Sequence, residues 1–187
     1  GMGVLVFVMM ITSLDDENAM PLMRAEVPGP EADKLVPKAR HTARLLYGMY
    51  FVLTAAEVVF LLFGGMNLYD ALLHAFSTAG TGGFSNRAAS VSFYDSAYID
   101  GVITVFMILF GINFNLYFLF LLKEWKTALK NEELWVYLGI IGASMAAITG
   151  NILHIYGNIF RAFRYASFQV ASVITTTGFC TADYDRW

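Results

Sequence analysis

Two loops rich in threonine and glycine constrain this chain most, because each follows an apolar segment too short to cross a membrane. The first loop is Ser77–Ser85 (STAGTGGFS) and the second is Thr175–Cys180 (TTTGFC). At an offset of 95 positions, the sequence pairs Ala71 with Ala166, Ser77 with Ser172, Thr81 with Thr176, Gly83 with Gly178 and Phe84 with Phe179. The recurrence predicts a repeated architecture, and we expect the function to lie in these loops.

The overall composition favours a membrane protein. Hydrophobic residues make up 57% of the chain and charged residues 14%, whereas an ordinary soluble domain has about 45–50% and about 25%. The mean hydropathy is +0.57. The net charge of −3 provides no basic surface for nucleic acid. The single cysteine excludes an intrachain disulfide framework and a cysteine-cluster metal site.

The apolar segments predict an all-α membrane protein built from repeated units. Each unit is a membrane helix, a re-entrant pore helix of half length, a filter loop and a second membrane helix. We predict the end of a truncated transmembrane helix at 1–12, a cytoplasmic connector at 13–46, a complete pore unit at 47–122, a cytoplasmic loop at 123–133 and an incomplete second unit at 134–187. Within these units we place pore helices at 68–78 and 159–174, loops at 79–85 and 175–180, and spans at 98–122 and 134–156.

Irregular backbone at membrane depth is tolerated only inside protein or along a water-filled cavity. Backbone carbonyl oxygens in such a loop can replace the hydration shell of a cation, and threonine hydroxyls can add oxygen ligands. Each preceding half-helix directs its partly negative C-terminal end toward its loop. The loops therefore predict cation coordination, whereas a non-conducting membrane scaffold or sensor, in which the loops only pack, is the alternative. No catalytic set falls at facing spacings within the spans, so we do not expect an enzyme.

Three further side chains are candidates for supporting the loops. Glu57 lies in the middle of a membrane segment, where a charge is costly and is usually paired or functional. A structural bond and support of the ion pathway both remain open for it. His74 and Gln169 fall at equivalent positions of the two half-helices and would brace the loops from behind, although packing without a specific role fits them equally well.

The segments HAFSTAGTGGFSNRAA and ASFQVASVITTTGFCTADYDRW, with GINFNLYF and EVPGPEADKLVPKARHTARLLYGMY around them, resemble the Trk/Ktr/HKT potassium transporter superfamily and its bacterial TrkH subunits. The resemblance implies four membrane–pore–membrane units around one potassium pathway, of which this chain holds the second and most of the third. It places the filter glycines at Gly83 and Gly178. The carbonyl-lining residues before them are then Thr81, Gly82, Thr176 and Thr177, and Phe84 and Phe179 follow as supporting residues.

The same resemblance carries expectations for ligand, partners and location. It implies a potassium ion at the filter residues, without an organic cofactor. It also implies a homodimer of the full-length subunit, seated on a cytoplasmic ring of nucleotide-binding TrkA-type regulatory subunits, in the bacterial cytoplasmic membrane. The first loop departs from the second by having Gly82 in place of Thr177. Channel-like transport and symport with sodium or protons both stay open, as does the strictness of selection for potassium over sodium.

Overall fold

The computed structural model describes residues 39–113, 116–117, 119 and 129–187, and within these ranges every regular element is helical. Among the described residues, five α-helices have defined bounds: α1 (Ala39–Phe63), α2 (Leu68–Ala79), α3 (Ala97–Gly111), α4 (Glu132–Tyr156) and α5 (Ile159–Ile174). Short 3-10 turns occupy Ser90–Tyr94 and Tyr184–Arg186.

Two of these helices are long and apolar enough to cross a membrane, over Leu45–Phe63 in α1 and Glu132–Tyr156 in α4. Their outward side chains are apolar: the exposed fraction is 72% for Phe51 and 61% for Trp135. Exposed apolar surface of this extent suits contact with lipid or with other membrane helices rather than water. Helix α3 is also apolar but has only 15 residues.

The helices begin and end differently from the predicted segments at two places. Helix α1 begins at Ala39, so residues 39–46 of the predicted connector are helical. No proline follows Pro37, and a helix therefore extends freely from there. Helix α3 ends at Gly111, so the predicted span 98–122 is interrupted by a bend. A Cβ atom at Gly111 would overlap the hydroxyl of Tyr137 on α4, which explains a glycine at this close contact.

Residues 54–111 and 135–187 form one compact unit, which contains both half-helices and both loops. Helix α3 contacts α2 and α5, and it thereby joins the two repeats. The core of this unit is built from fully buried side chains of all three helices and of the second loop, including Ala75, Ile103, Met107, Phe168 and Phe179.

The remaining described residues belong to a second unit, where the side-chain amide of Asn113 donates to Glu133 Oε2 at 3.3 Å. The predicted helix end at 1–12, the connector up to residue 38 and most of the predicted loop 123–133 lie outside the described residues.

Candidate functional site

Both half-helices begin with the same device. Asn67 caps α2 by accepting a hydrogen bond from the Asp70 amide at 2.8 Å. Asn158 caps α5 by accepting one from the Phe160 amide at 2.8 Å. Asparagine is among the best residues at this position, because its side chain satisfies an amide that has no partner within the helix. Each half-helix therefore starts at a defined residue and delivers its loop at a defined point.

The backbone of the two loops is bonded identically to the last turn of the helix before each. In both repeats three successive amides donate to helix carbonyl oxygens, at corresponding positions. The bonds of the first loop are Gly80 to Phe76 (2.8 Å), Thr81 to Thr78 (3.1 Å) and Gly82 to Ser77 (2.8 Å). Those of the second are Thr175 to Ala171 (3.0 Å), Thr176 to Val173 (3.1 Å) and Thr177 to Ser172 (2.9 Å). The two loops thus share one backbone geometry despite different side chains.

The same two positions of each loop adopt left-handed backbone conformations. Thr81 has φ of 51° and Thr176 has φ of 57°, and the glycines two positions later have 64° at Gly83 and 90° at Gly178. A left-handed threonine is strained, since β-branched residues rarely adopt positive φ. Strain of this kind persists where the surroundings hold the backbone in place, and it concentrates at functional sites.

The two loops touch at residues that the sequence predicted as filter residues. A Cβ atom at Gly83 would overlap the carbonyl oxygen of Thr177 and would lie 3.0 Å from the carbonyl carbon of Gly178. Glycine at residue 83 is therefore required twice, once by its positive φ and once by this approach. Thr81, Gly82 and Gly83 are half-buried in this chain.

The side chains of the second loop differ in exposure. Thr177 is buried and its hydroxyl bonds the Thr175 hydroxyl at 2.8 Å, whereas Thr176 and Gly178 are exposed. The Cys180 amide donates to Ser90 Oγ at 3.3 Å, and its carbonyl oxygen accepts from the Ser92 amide at 3.2 Å. This reciprocal pair joins the second loop to the turn that follows the first.

Two of the predicted supporting residues pack together. His74 is fully buried on α2, and its ring stacks on the ring of Phe179 with centroids 5.6 Å apart. Its Nδ1 lies 2.7 Å from the carbonyl oxygen of Asp70, so Nδ1 carries the proton, and Nε2 accepts from the Ser85 hydroxyl at 3.1 Å. His74 thus contacts the end of the first loop and an aromatic ring of the second.

The structure places the other three supporting candidates differently. Phe84 is 76% exposed in this chain, in contrast to its buried counterpart Phe179. Gln169 has a buried Oε1 with no hydrogen-bond partner among the described residues, so it makes no bond equivalent to those of His74. Glu57 is fully buried, and neither of its carboxyl oxygens has a hydrogen-bond partner among the residues that the structure describes.

Sequence reasoning missed a cluster around Asp70, which lies in the first turn of α2 and is 1% exposed. Its carboxylate accepts from Asn86 Nδ2 at 2.5 Å, Arg87 Nη2 at 3.1 Å and the Tyr94 hydroxyl at 2.6 Å. These bonds, led by that from Tyr94, lower the pKa of Asp70 to about 2 against the effect of burial. Burial and the bond to Asp70 raise the pKa of Tyr94 to about 12. The sequence signal that could have revealed this cluster is an acidic residue within a short apolar helix, followed by an arginine just after the loop.

A family model described as TrkH, cation transport protein, matches residues 1–136. The chain is 36% identical, over its whole length, to the Trk system potassium uptake protein TrkH of Salmonella typhimurium. It is 30% identical to the Trk system potassium uptake protein TrkG of Escherichia coli, again over its whole length. It spans 40% of the first of these relatives and 39% of the second.

Among solved structures, the chain is similar to the crystal structure of the potassium transporter TrkH from Vibrio parahaemolyticus, with a TM-score of 0.76 and 30% sequence identity. That similarity covers 96% of this chain and 39% of the other. The helical fold with its membrane-length segments agrees with this likeness and confirms the predicted all-α membrane class. The chain therefore belongs to the TrkH family of cation transport proteins.

Proposed function

We propose that the full-length protein takes up potassium across the bacterial cytoplasmic membrane as a multi-pass protein, and that these loops coordinate the ion. The observation that carries this proposal is that the loop amides are hydrogen-bonded whereas, among the described residues, most carbonyl oxygens at the predicted ion-binding positions are not. Three amides of each loop are bonded to helix carbonyls. In the described part of the chain no hydrogen bond is donated to the carbonyl oxygens of Thr81, Gly82, Gly83, Thr176 or Thr177. Oxygens left without a donor are suited to replace the water ligands of a cation.

The half-helices support cation binding electrostatically. Helices α2 and α5 end at the loops, and the C-terminal end of a helix carries about half a negative elementary charge. Water screens this charge poorly where the helix end is buried in protein. Two helix ends directed at neighbouring loops would therefore favour a cation over an anion at the same place.

The proposed ion-binding residues are the three positions that end at the filter glycine in each loop: Thr81, Gly82 and Gly83 in the first, and Thr176, Thr177 and Gly178 in the second. Their contact at Gly83 and Thr177 supports a role as neighbours around one pathway. Two loops cannot surround an ion, so we propose that two further units of the full-length protein complete the ring. Potassium is then the transported substrate, and no organic cofactor is needed for the coordination.

The proposal extends to assembly. The relatives are named as parts of a Trk system, and the resemblance implies a homodimer of the full-length subunit on a cytoplasmic ring of nucleotide-binding TrkA-type subunits. We propose the same partners for the full-length form of this protein.

Growth of cells that lack potassium uptake tests the proposal. Full-length protein should restore growth on low potassium, and the double variant Gly83→Asp and Gly178→Asp should abolish it. An aspartate at either position places a side chain on backbone of positive φ. At residue 83, the new side chain would also overlap the Thr177 carbonyl oxygen.

The matched control is Gly65→Asp with Gly157→Asp. Both glycines also have positive φ, but they lie in turns outside the loops with open space around them. Growth that survives the loop variant, or that is lost equally in the control, would contradict the proposal. The abundance of each variant in the membrane is measured alongside.

A further inference from the structure

The two loops share their backbone bonds but not their side-chain bonds. In the second loop, Ser172 Oγ donates to the Phe179 carbonyl at 2.9 Å and accepts from the Gly178 amide at 3.1 Å. The hydroxyls of Thr175 and Thr177 bond each other at 2.8 Å. The second loop is therefore held by a side chain of the helix before it and by side chains of the loop itself.

The first loop lacks each of these bonds. Ser77 corresponds to Ser172, yet its hydroxyl oxygen is buried without a hydrogen-bond partner among the described residues. Gly80 and Gly82 stand where the second loop has its bonded threonines, so the first loop has no hydroxyls there. Its strained backbone needs a restraint from elsewhere.

That restraint is present where the first loop ends. We use the name exit clamp for Asp70, Asn86, Arg87 and Tyr94. The buried Asp70 carboxylate receives all three of the other side chains, so that the chain leaving the first loop is tied to the start of its own half-helix. Hydrogen bonds to a charged acceptor are roughly twice as strong as those between neutral groups. The Arg87 guanidinium also lies over the ring of Phe93, 4.4 Å from its centroid, which orders the arginine further.

The second repeat has no equivalent clamp. Tyr165 stands at the position of Asp70, and Ala182 stands at the position of Arg87. The second loop thus has side-chain bonds within it, besides the bonds of Cys180 to the turn after the first loop, whereas the first loop is restrained by the exit clamp. Two loops with the same backbone bonds are held by different means.

The exit clamp also reaches the second loop. Tyr94 packs edge-on against His74 with ring centroids 5.7 Å apart. His74 in turn bonds Ser85 at the end of the first loop and stacks on Phe179 of the second. A shift of Tyr94 would therefore displace the residue that contacts both loops.

We propose that Asp70 is a positioning residue that sets the selectivity of the first loop for potassium over sodium without touching the ion. The inference rests on the proposed function, because it assumes that the loop carbonyls coordinate the ion. Loss of the clamp lets the loop relax toward other carbonyl spacings, which the smaller sodium ion can use. Selectivity should fall more than total transport.

The test compares potassium and sodium flux through the full-length protein in liposomes. Asp70→Asn should lower the potassium-to-sodium flux ratio by about tenfold, a factor that corresponds to about 1.4 kcal/mol, while potassium flux itself changes less. The matched control is Asp95→Asn. Asp95 follows Tyr94 in the chain; its side chain is 83% exposed and pairs with Arg164 at 3.4 Å. Its replacement removes the same charge but none of the bonds of the clamp. The control should keep the ratio of the unmodified protein.

Arg87→Gln and Tyr94→Phe each remove one bond of the clamp and keep the buried carboxylate. They should lower the ratio in the same direction, and they decide the matter if Asp70→Asn does not fold. An unchanged ratio in the folded variants, or an equal fall in Asp95→Asn, overturns the inference alone. Absence of potassium flux through the unmodified protein overturns the proposed function and the inference with it.

Discussion

Replacing Gly83 by alanine is expected to reduce potassium flux through the full-length protein about a hundredfold. A displacement of about 1 Å in the groups of an active site lowers an enzyme's rate by a similar factor. The added Cβ atom would overlap the Thr177 carbonyl oxygen, so the two loops must move apart. The positive φ of 64° adds strain for any residue other than glycine. Flux into liposomes, corrected for the amount of incorporated protein, measures the effect.

Alanine variants of two other glycines separate the effect of the overlap from that of the positive φ. Gly178→Ala also adds a Cβ atom at positive φ, here 90°, but with open space around it, so its loss of flux should be smaller. Gly157→Ala has positive φ in the turn before α5, outside both loops, and should transport like the unmodified protein. Equal flux in Gly83→Ala and Gly157→Ala would show that the loop contact has no part in transport.

The second large effect concerns the ion pair between α5 and α3. Arg164 Nε lies 2.7 Å from Asp100 Oδ2, and the Asp100 side chain is 2% exposed. Arg164→Leu leaves this buried carboxylate without its cation. Removing one partner costs about 3–5 kcal/mol when both are buried, and less here because the Arg164 side chain is 21% exposed. We expect a large fall in the midpoint of thermal unfolding, because α3 joins the two repeats.

The double variant Arg164→Leu with Asp100→Leu should recover most of that loss, since a buried pair replaced by apolar side chains is often neutral. Arg161→Leu is the control, as Arg161 lies on the same helix and is exposed. A single Arg164→Leu variant that unfolds at the same temperature as the control would contradict the role of the pair.

The repeat was readable from sequence because its signals are local. A half-length apolar segment followed by a loop rich in threonine and glycine predicts α2 and α5, since each signal depends on neighbours in the chain. The start of α1 at Ala39 and the end of α3 at Gly111 were missed. Gly111, the last residue of α3, is closely approached by Tyr137 from another helix, and a local pattern does not contain this contact.

The unequal roles of matched residues were also beyond the sequence pattern. Phe84 and Phe179 occupy equivalent positions, yet one is exposed and the other is buried against His74. The difference arises because α2 lies beside the second loop, a relation between the repeats rather than within them. The exit clamp was missed for a different reason: Tyr94 and Asp70 belong to the same repeat, but they are separated by 24 positions and meet only in the fold.

The most direct test of ion coordination by these loops is the anomalous scattering of rubidium or thallium in crystals of the full-length protein. Ordered density should lie within coordination distance of the backbone carbonyl oxygens of Thr81 and Thr176. The Gly83→Ala variant should lose that density while its helices stay in place. Ordered loops without any ion beside them, or ions bound only elsewhere along the pathway, would contradict the account.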